Sequence, residues 1–324
     1  MISLIFALLT ALMGRALAEG PGQALGTVSE VLMPPYQAGA MEREFPASDL
    51  RFANAKQLWV IGQDSLFQWD IDGKKLKRLT LTPDNDKAQI GPLALLGTDG
   101  VSMFAAADGA LFQVSWEQGR VYRYQSTSAT AGRPLAFDAD GDTVWLVHNN
   151  AVLTLDRYGK TLKPLRHVPL LQGVTKAALD ASAKVLWFVK GKRLFRLAID
   201  REDAQPAAVL EAKHALIDLK LSGHELIAPT PHTILLLSPE GKLVRSIPVE
   251  GARRILAVHV GEGSHAYLFN DQLLEVFLTK EKATLRFRLP LEDDDKITKI
   301  ALSGRRLGVI VDGKPRVFTL GRNR

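Results

Sequence analysis

Short apolar runs recur along this chain at an interval of about forty residues. Their centres are Trp59, Phe104, Trp145, Trp187, Ile227, Tyr267 and Val309, with successive spacings of 45, 41, 42, 40, 40 and 42. A second apolar pair follows each centre, ending at Phe67, Phe112, Leu153, Phe195, Leu235, Leu274 and Phe318. That offset is eight residues in five units, seven in one and nine in another. Seven to nine residues before each centre lies a further run, marked by Phe52, Leu95, Phe137, Ala178, Leu219, Val258 and Ile300. Runs this short, separated by turn residues, predict three strands at the start of every unit.

A fourth, alternating and more polar segment follows in six units, over 76–81, 121–125, 162–168, 207–211, 243–249 and 285–289. Its polarity suits an outer strand facing solvent. The turns before it carry glycine and then a base, as in Asp72-Gly73-Lys74, Gln118-Gly119-Arg120, Tyr158-Gly159-Lys160 and Glu240-Gly241-Lys242. Glycine there supplies the positive φ of a tight hairpin. No stretch of ten or more residues beyond the first eighteen sustains a helical period with caps, which argues against alternating helices and strands. Four strands per forty residues is the arithmetic of a β-propeller.

The predicted fold is therefore all-β: seven four-stranded antiparallel blades near 49–82, 91–126, 133–168, 174–212, 215–249, 254–290 and 296–320. The last unit ends at Leu320 after its third strand. The strand-like segment 26–34 has no unit of its own, so it is expected to complete the last blade and remove an open edge.

At 324 residues, 46% hydrophobic and 23% charged, the chain has enough apolar material for a large core, which excludes wholesale disorder. Residues 1–18 read as a signal peptide, with an uncharged apolar run from Ile2 to Met13 and small residues at Ala16 and Ala18. No Lys or Arg precedes that run, a departure from the usual pattern. Cleavage before Glu19 would leave one domain over 19–324 with no transmembrane span, located in the periplasm or outside the cell. The absence of cysteine removes disulfides, zinc thiolates and thiol nucleophiles together. Losing the leader takes away Arg15 and no acid, leaving 40 basic against 35 acidic side chains. The bases are scattered rather than clustered with aromatics, which argues against nucleic acid as a partner.

The unit carried by Leu58-Trp59-Val60, Leu66-Phe67-Gln68-Trp69-Asp70 and Asp72-Gly73-Lys74 resembles the NHL, YVTN and related propeller repeats. The resemblance spans about residues 49–320 and concerns architecture. The tryptophan-docking signature of pyrroloquinoline-quinone propellers and the Gly-His…Trp-Asp pattern of WD40 blades are both missing. What the resemblance implies is a binding platform or, in some relatives, a lactonase, hydrolase or lyase, and fold alone does not choose among these.

Second-to-third turns and inter-blade loops of such blades open on one face. That places His148, Asn149 and Asn150, Lys190 and Lys192, Arg253 and Arg254, and Asp293 and Asp294 on a common rim, the expected binding site. Ordinary hairpin chemistry explains the turn residues as well. Asp138-Ala139-Asp140-Gly141-Asp142 offers alternating carboxylates but lacks the other ligands of a calcium loop. The histidines form no H-x-H or H-E-x-x-H pair, and no G-x-S-x-G or S-x-x-K element occurs. No catalytic residue, metal ligand or cofactor is therefore assigned. The expectation is a monomeric, non-catalytic binding or scaffold module for a protein or peptide of the cell envelope or exterior. The alternatives are a propeller hydrolase or lactonase with a metal at the axial opening, and a structural part of an envelope assembly.

Overall fold

The computed structural model describes residues 28–31, 36–38, 41–43, 46–62, 65–79, 94–98, 102–107, 110–115, 121–126, 134–140, 143–156, 161–249, 255, 257–260, 265–269, 273–278, 284–287, 289–292 and 295–321. The leader, Gly141 and Asp142 lie outside them. Nearly every described element is a strand, as the β-branched, leucine-rich and aromatic runs dictate. No helix among the described residues is long and apolar enough to cross a membrane.

Antiparallel four-strand meanders run over 47–79, 94–126, 136–167, 176–211, 220–248 and 257–287. The last three strands, Ile297–Ser303, Arg306–Val311 and Lys314–Leu320, share a sheet with Val28–Val31, which pairs antiparallel to Lys314–Leu320 from Val28↔Leu320 to Val31↔Val317. Tyr36–Ala38 and Met41–Arg43 form a separate hairpin. Where seven separate blades were expected, these strands make six sheets of four or more strands. The reason is local: Val121–Ser126 and Thr161–His167, two outer edges, meet in parallel at Gln125↔Thr161 and Ser126↔Leu162. Their pairing satisfies edge groups that would otherwise face solvent, and it fuses two meanders into one eight-stranded sheet.

The innermost strands touch in chain order. Ala47–Asn54 lies against Ala94–Thr98, followed by Ala136–Asp140, Lys176–Asp180, Lys220–Ser222, Ala257–Val260 and Ile297–Ser303, which returns to Ala47–Asn54. A circle of radially stacked antiparallel sheets of this kind is a β-propeller.

The core lies between neighbouring sheets. Trp59 packs on Leu95, Met103 and Phe112 of the next meander, Trp145 on Leu179 and Phe188, and Trp187 on Leu219 and Leu226. The last sheet closes on the first through Ala301, Ile310 and Val317 against Leu50, Phe52 and Trp69. Burying each large apolar side chain stabilises the ring by about 1.5–3 kcal/mol. Spacing between sheets is tight where backbone approaches a neighbour: a Cβ at Gly97 would come within 2.8 Å of the Phe137 ring. Gly241, at φ +91°, adds the left-handed conformation foreseen for its turn.

Carboxylates on the innermost strands stitch one sheet to the next. Asp49 accepts from the Leu95 amide at 3.2 Å, and Asp138 from the Ala181 amide at 2.7 Å. Asp180 is held at 2.7 Å by His224 Nδ1 and at 2.8 Å by both the Ser182 hydroxyl and the Ala183 amide. Burial works to raise the Asp180 carboxyl, but these donors prevail and leave it below its ordinary 3.8. The same hydrogen bond and the Asp180 charge raise His224 above 6.5.

The contribution of His224 is therefore complete below its ordinary value and disappears as pH climbs through its raised one. That of Asp180 is present above 3.8 and disappears as pH falls through its lowered one. The clasp is strongest between those limits. A His224→Gln protein should melt below the parent at pH 5 and match it at pH 8.5, read by thermal unfolding at fixed ionic strength. Equal melting at both pH values would remove the clasp from the account.

Candidate functional site

Among the second-to-third turns, those around residues 148–150, 190–193, 230–233 and 312–314 are described. Each turn is fixed before it meets any ligand, because its backbone bonds to the loop that follows. At the first, the His148 and Ala151 amides and carbonyls bond to each other at 2.8 and 3.4 Å, and the Val168 amide donates to the Asn150 carbonyl at 2.6 Å. That bond leads into the 3-10 turn Pro169–Leu171. Asn149 Oδ1 accepts from the Gly173 amide at 3.4 Å.

On the next sheet, Lys190 Nζ donates to the Leu170 carbonyl at 3.3 Å, and the Lys192 carbonyl accepts from the Ala212 amide at 2.9 Å. Further round, Thr230 Oγ1 accepts from the amide of Thr233 at 3.0 Å and shapes the turn that presents His232. The His232 ring meets His214 edge-on at a centroid distance of 6.3 Å.

Asn149, Asn150, Lys190 and Lys192 are all exposed on this arc, and Lys190 ties two consecutive sheets together. His148 is different. It is 4% exposed, burial lowers its pKa so that it stays neutral, and its Nδ1 has no hydrogen-bond partner. His148 is thus buried, unlike its exposed neighbours Asn149 and Asn150. Arg253, Arg254, Asp293 and Asp294 lie outside the described residues. Exposed His232, at a second-to-third turn, and exposed His214, on the loop that leads into the same sheet, join the arc.

The axis carries a second set of polar groups. Each apolar centre pairs directly with one residue of its innermost strand: Trp59 with Arg51, Phe104 with Gly97, Trp145 with Asp138 and Trp187 with Ala178. Ile227 pairs with Lys220, Tyr267 with His259 and Val309 with Ile300. These residues occupy one level of the ring. The strands bearing Lys220 and His259 are adjacent, Arg51 lies beyond the next strand, and Asp138 lies elsewhere in the circle.

Burial raises the Asp138 carboxyl first, and nearby Asp180 and Asp140 add to that effect against the amide bonds from Ala181 and Ala139. Asp138 thus serves the junction between sheets. Among the described residues, no three His, Asp or Glu side chains gather as a metal site.

No protein-family model and no curated protein sequence matches the chain. Solved structures do. A catalytically inactive virginiamycin B lyase from Staphylococcus aureus with quinupristin is similar over 91% of this chain and 99% of its own, at TM-score 0.66 and 12% identity. YCF48 bound to D1 peptide is similar over 94% and 100%, at TM-score 0.68 and 12% identity. A chain of the mitotic checkpoint complex is similar over 94% and 97%, at TM-score 0.64 and 12% identity. Likeness at this identity establishes the propeller fold, which hosts catalytic and non-catalytic proteins alike.

Proposed function

We propose that this chain is an exported, monomeric, non-catalytic binding module whose ring presents the rim around Asn149, Lys190 and Lys192 to a protein or peptide partner of the envelope or exterior. The ring is read as seven-bladed, with the eight-stranded sheet counted as two blades and Val28–Val31 completing the last. The circle of innermost strands supports that count, and the pairing of Val28–Val31 with Lys314–Leu320 supports the closure. Export rests on the leader pattern of residues 1–18.

The observation that carries the binding reading is an exposed polar arc on pre-formed turns. Backbone bonds to following loops hold the turns at Asn150 and Lys192, and Lys190 grips Leu170. A surface ordered in advance loses little conformational entropy on association. The peptide held by YCF48 on a similar fold agrees with this class of partner.

Selection of displayed random peptides on the purified mature protein tests the reading. Enriched peptides should bind the Asn149→Ala/Lys190→Ala/Lys192→Ala triple variant at least tenfold more weakly. Failure to enrich, or equal affinity for the variant, would contradict it. Turnover of a lactone that requires a divalent ion would replace it with the hydrolase alternative.

A further inference from the structure

On the rim, beyond Lys192, two histidines from separate loops meet. We propose that His214 and His232 chelate one late first-row divalent ion, such as zinc, nickel or copper, through their two imidazoles.

His214 lies on the loop between Ala207–Glu211 and Lys220–Ser222, and His232 on the turn between Glu225–Pro229 and Thr233–Leu237. Backbone bonds bring them together. The Ala212 amide donates to the Lys192 carbonyl at 2.9 Å, and the Ile217 amide to the Pro229 carbonyl at 2.9 Å, so the loop of His214 is tied to the strand that leads into the His232 turn. Buried Ala212 and Leu216 hold that loop down on either side of His214. At the turn, Thr230 Oγ1 accepts from the amides of His232 and Thr233 at 3.4 and 3.0 Å, and the His232 carbonyl accepts from the Val249 amide at 2.9 Å. Fixed backbone therefore carries two residues that are both exposed.

The imidazole centres stand 6.3 Å apart. Metal–nitrogen bonds of about 2.0–2.1 Å put the centres of two imidazoles on one ion about 5–6.5 Å apart, according to the angle at the metal. The observed separation lies within that range. The rings now meet edge-on, at 86°, and small rotations about χ1 and χ2 of exposed side chains suffice to turn one nitrogen of each toward a common point.

The surroundings select the kind of ion. Among the described residues, neither imidazole is engaged in a hydrogen bond or an ion pair. The nearby carboxylates are committed elsewhere, Glu211 at 3.2 Å from Arg193 and Asp218 at 3.7 Å from Lys220. Calcium and magnesium, which take oxygen ligands, find none provided here, whereas imidazole suits zinc, copper and nickel. Exposed Lys213 beside His214 opposes a cation only weakly, because solvent and salt screen exposed charges. Two protein ligands, rather than the three or four of a closed site, leave positions for water and make the ion exchangeable.

Zinc chloride titrated into the untagged protein at pH 7.5 in a non-chelating buffer, with the histidine ring signals followed by NMR, provides the test. The His214 and His232 signals should move together on one saturating curve that ends at one ion per chain, while exposed His167 stays in place. Calcium or magnesium at the same concentration should move neither. His214→Ala and His232→Ala should each weaken zinc binding at least tenfold, since a single imidazole cannot chelate, and each should melt with the parent in the absence of metal. Separate curves for the two rings, an equal response to calcium, or undiminished zinc affinity in either variant would overturn the proposal. The titration uses no peptide, so its outcome is independent of the partner proposed for the rim.

Discussion

Replacing Trp187 with alanine should destabilise the protein by about 3–5 kcal/mol, the range for deleting a buried aromatic side chain. Trp187 is 1% exposed and stands opposite Ala178 on one side and Arg196 on the other. Its indole reaches across to Leu219, Leu226 and Ala228 of the following sheet, so its loss opens a cavity at a junction between sheets. The Arg196 guanidinium, 5.6 Å from the ring centroid, loses its aromatic partner as well, and its bond to the Pro239 carbonyl at 2.7 Å spans the same junction. Two walls built of β-sheet relax poorly into such a cavity, which places the expected cost toward the upper end. Urea unfolding, monitored by circular dichroism, measures it. A loss under about 1 kcal/mol is the size expected of a surface position and would mean that the tryptophans do not wedge neighbouring sheets apart.

The second large effect is expected at the junction of the chain's two ends. Arg316 grips Glu30 with two bonds, Nε to Oε1 at 2.6 Å and the second terminal nitrogen to Oε2 at 2.8 Å, and reaches Asp295 at 3.6 Å. It also stacks 5.3 Å from the Phe318 centroid. The fork geometry matches a carboxylate as lysine would not, and the Glu30 bond pushes the Arg316 pKa up. Arg316→Met should therefore cost about 1.5–3 kcal/mol, the range for hydrogen bonds to charged groups. A cycle with Glu30→Gln should show the two losses to be strongly non-additive. Additive losses would detach Val28–Val31 from the last strand.

The repeat made most of this fold readable. Apolar centres such as Trp59 and Trp187 sit where one side chain must fill the gap between sheets, so selection for volume leaves them at a fixed interval. Turn chemistry was legible in part: Gly241 takes the positive φ expected of it, whereas in the Asp72-Gly73-Lys74 turn that conformation falls on Lys74 at φ +50° and Gly73 instead donates its amide to Asp70 at 3.0 Å.

Edge meetings were not legible, because periodicity fixes what lies within a unit and not which outer strands converge. The parallel contact of Gln125 with Thr161 is such a case. Nor did sequence tell which way a turn residue points. His148 and Asn149 are neighbours of similar polarity, yet one is buried and the other exposed, a distinction set by the loop that covers the turn. The apolar repeat is equally silent on the residue opposite each apolar centre, and Arg51, Lys220 and His259 stand at three such positions.

The central claim, a ring in which the amino-terminal strand lies against the last one, meets its most direct test in a crosslink. The chain has no cysteine of its own, so Ser29→Cys with Thr319→Cys introduces one unambiguous pair at positions that face each other across the strands. Directly paired strand residues lie within disulfide reach. Mild oxidation of the folded protein should give a complete intramolecular disulfide, seen as a faster-migrating band that reduction reverses. Free thiols, or bonds between separate molecules, would contradict it.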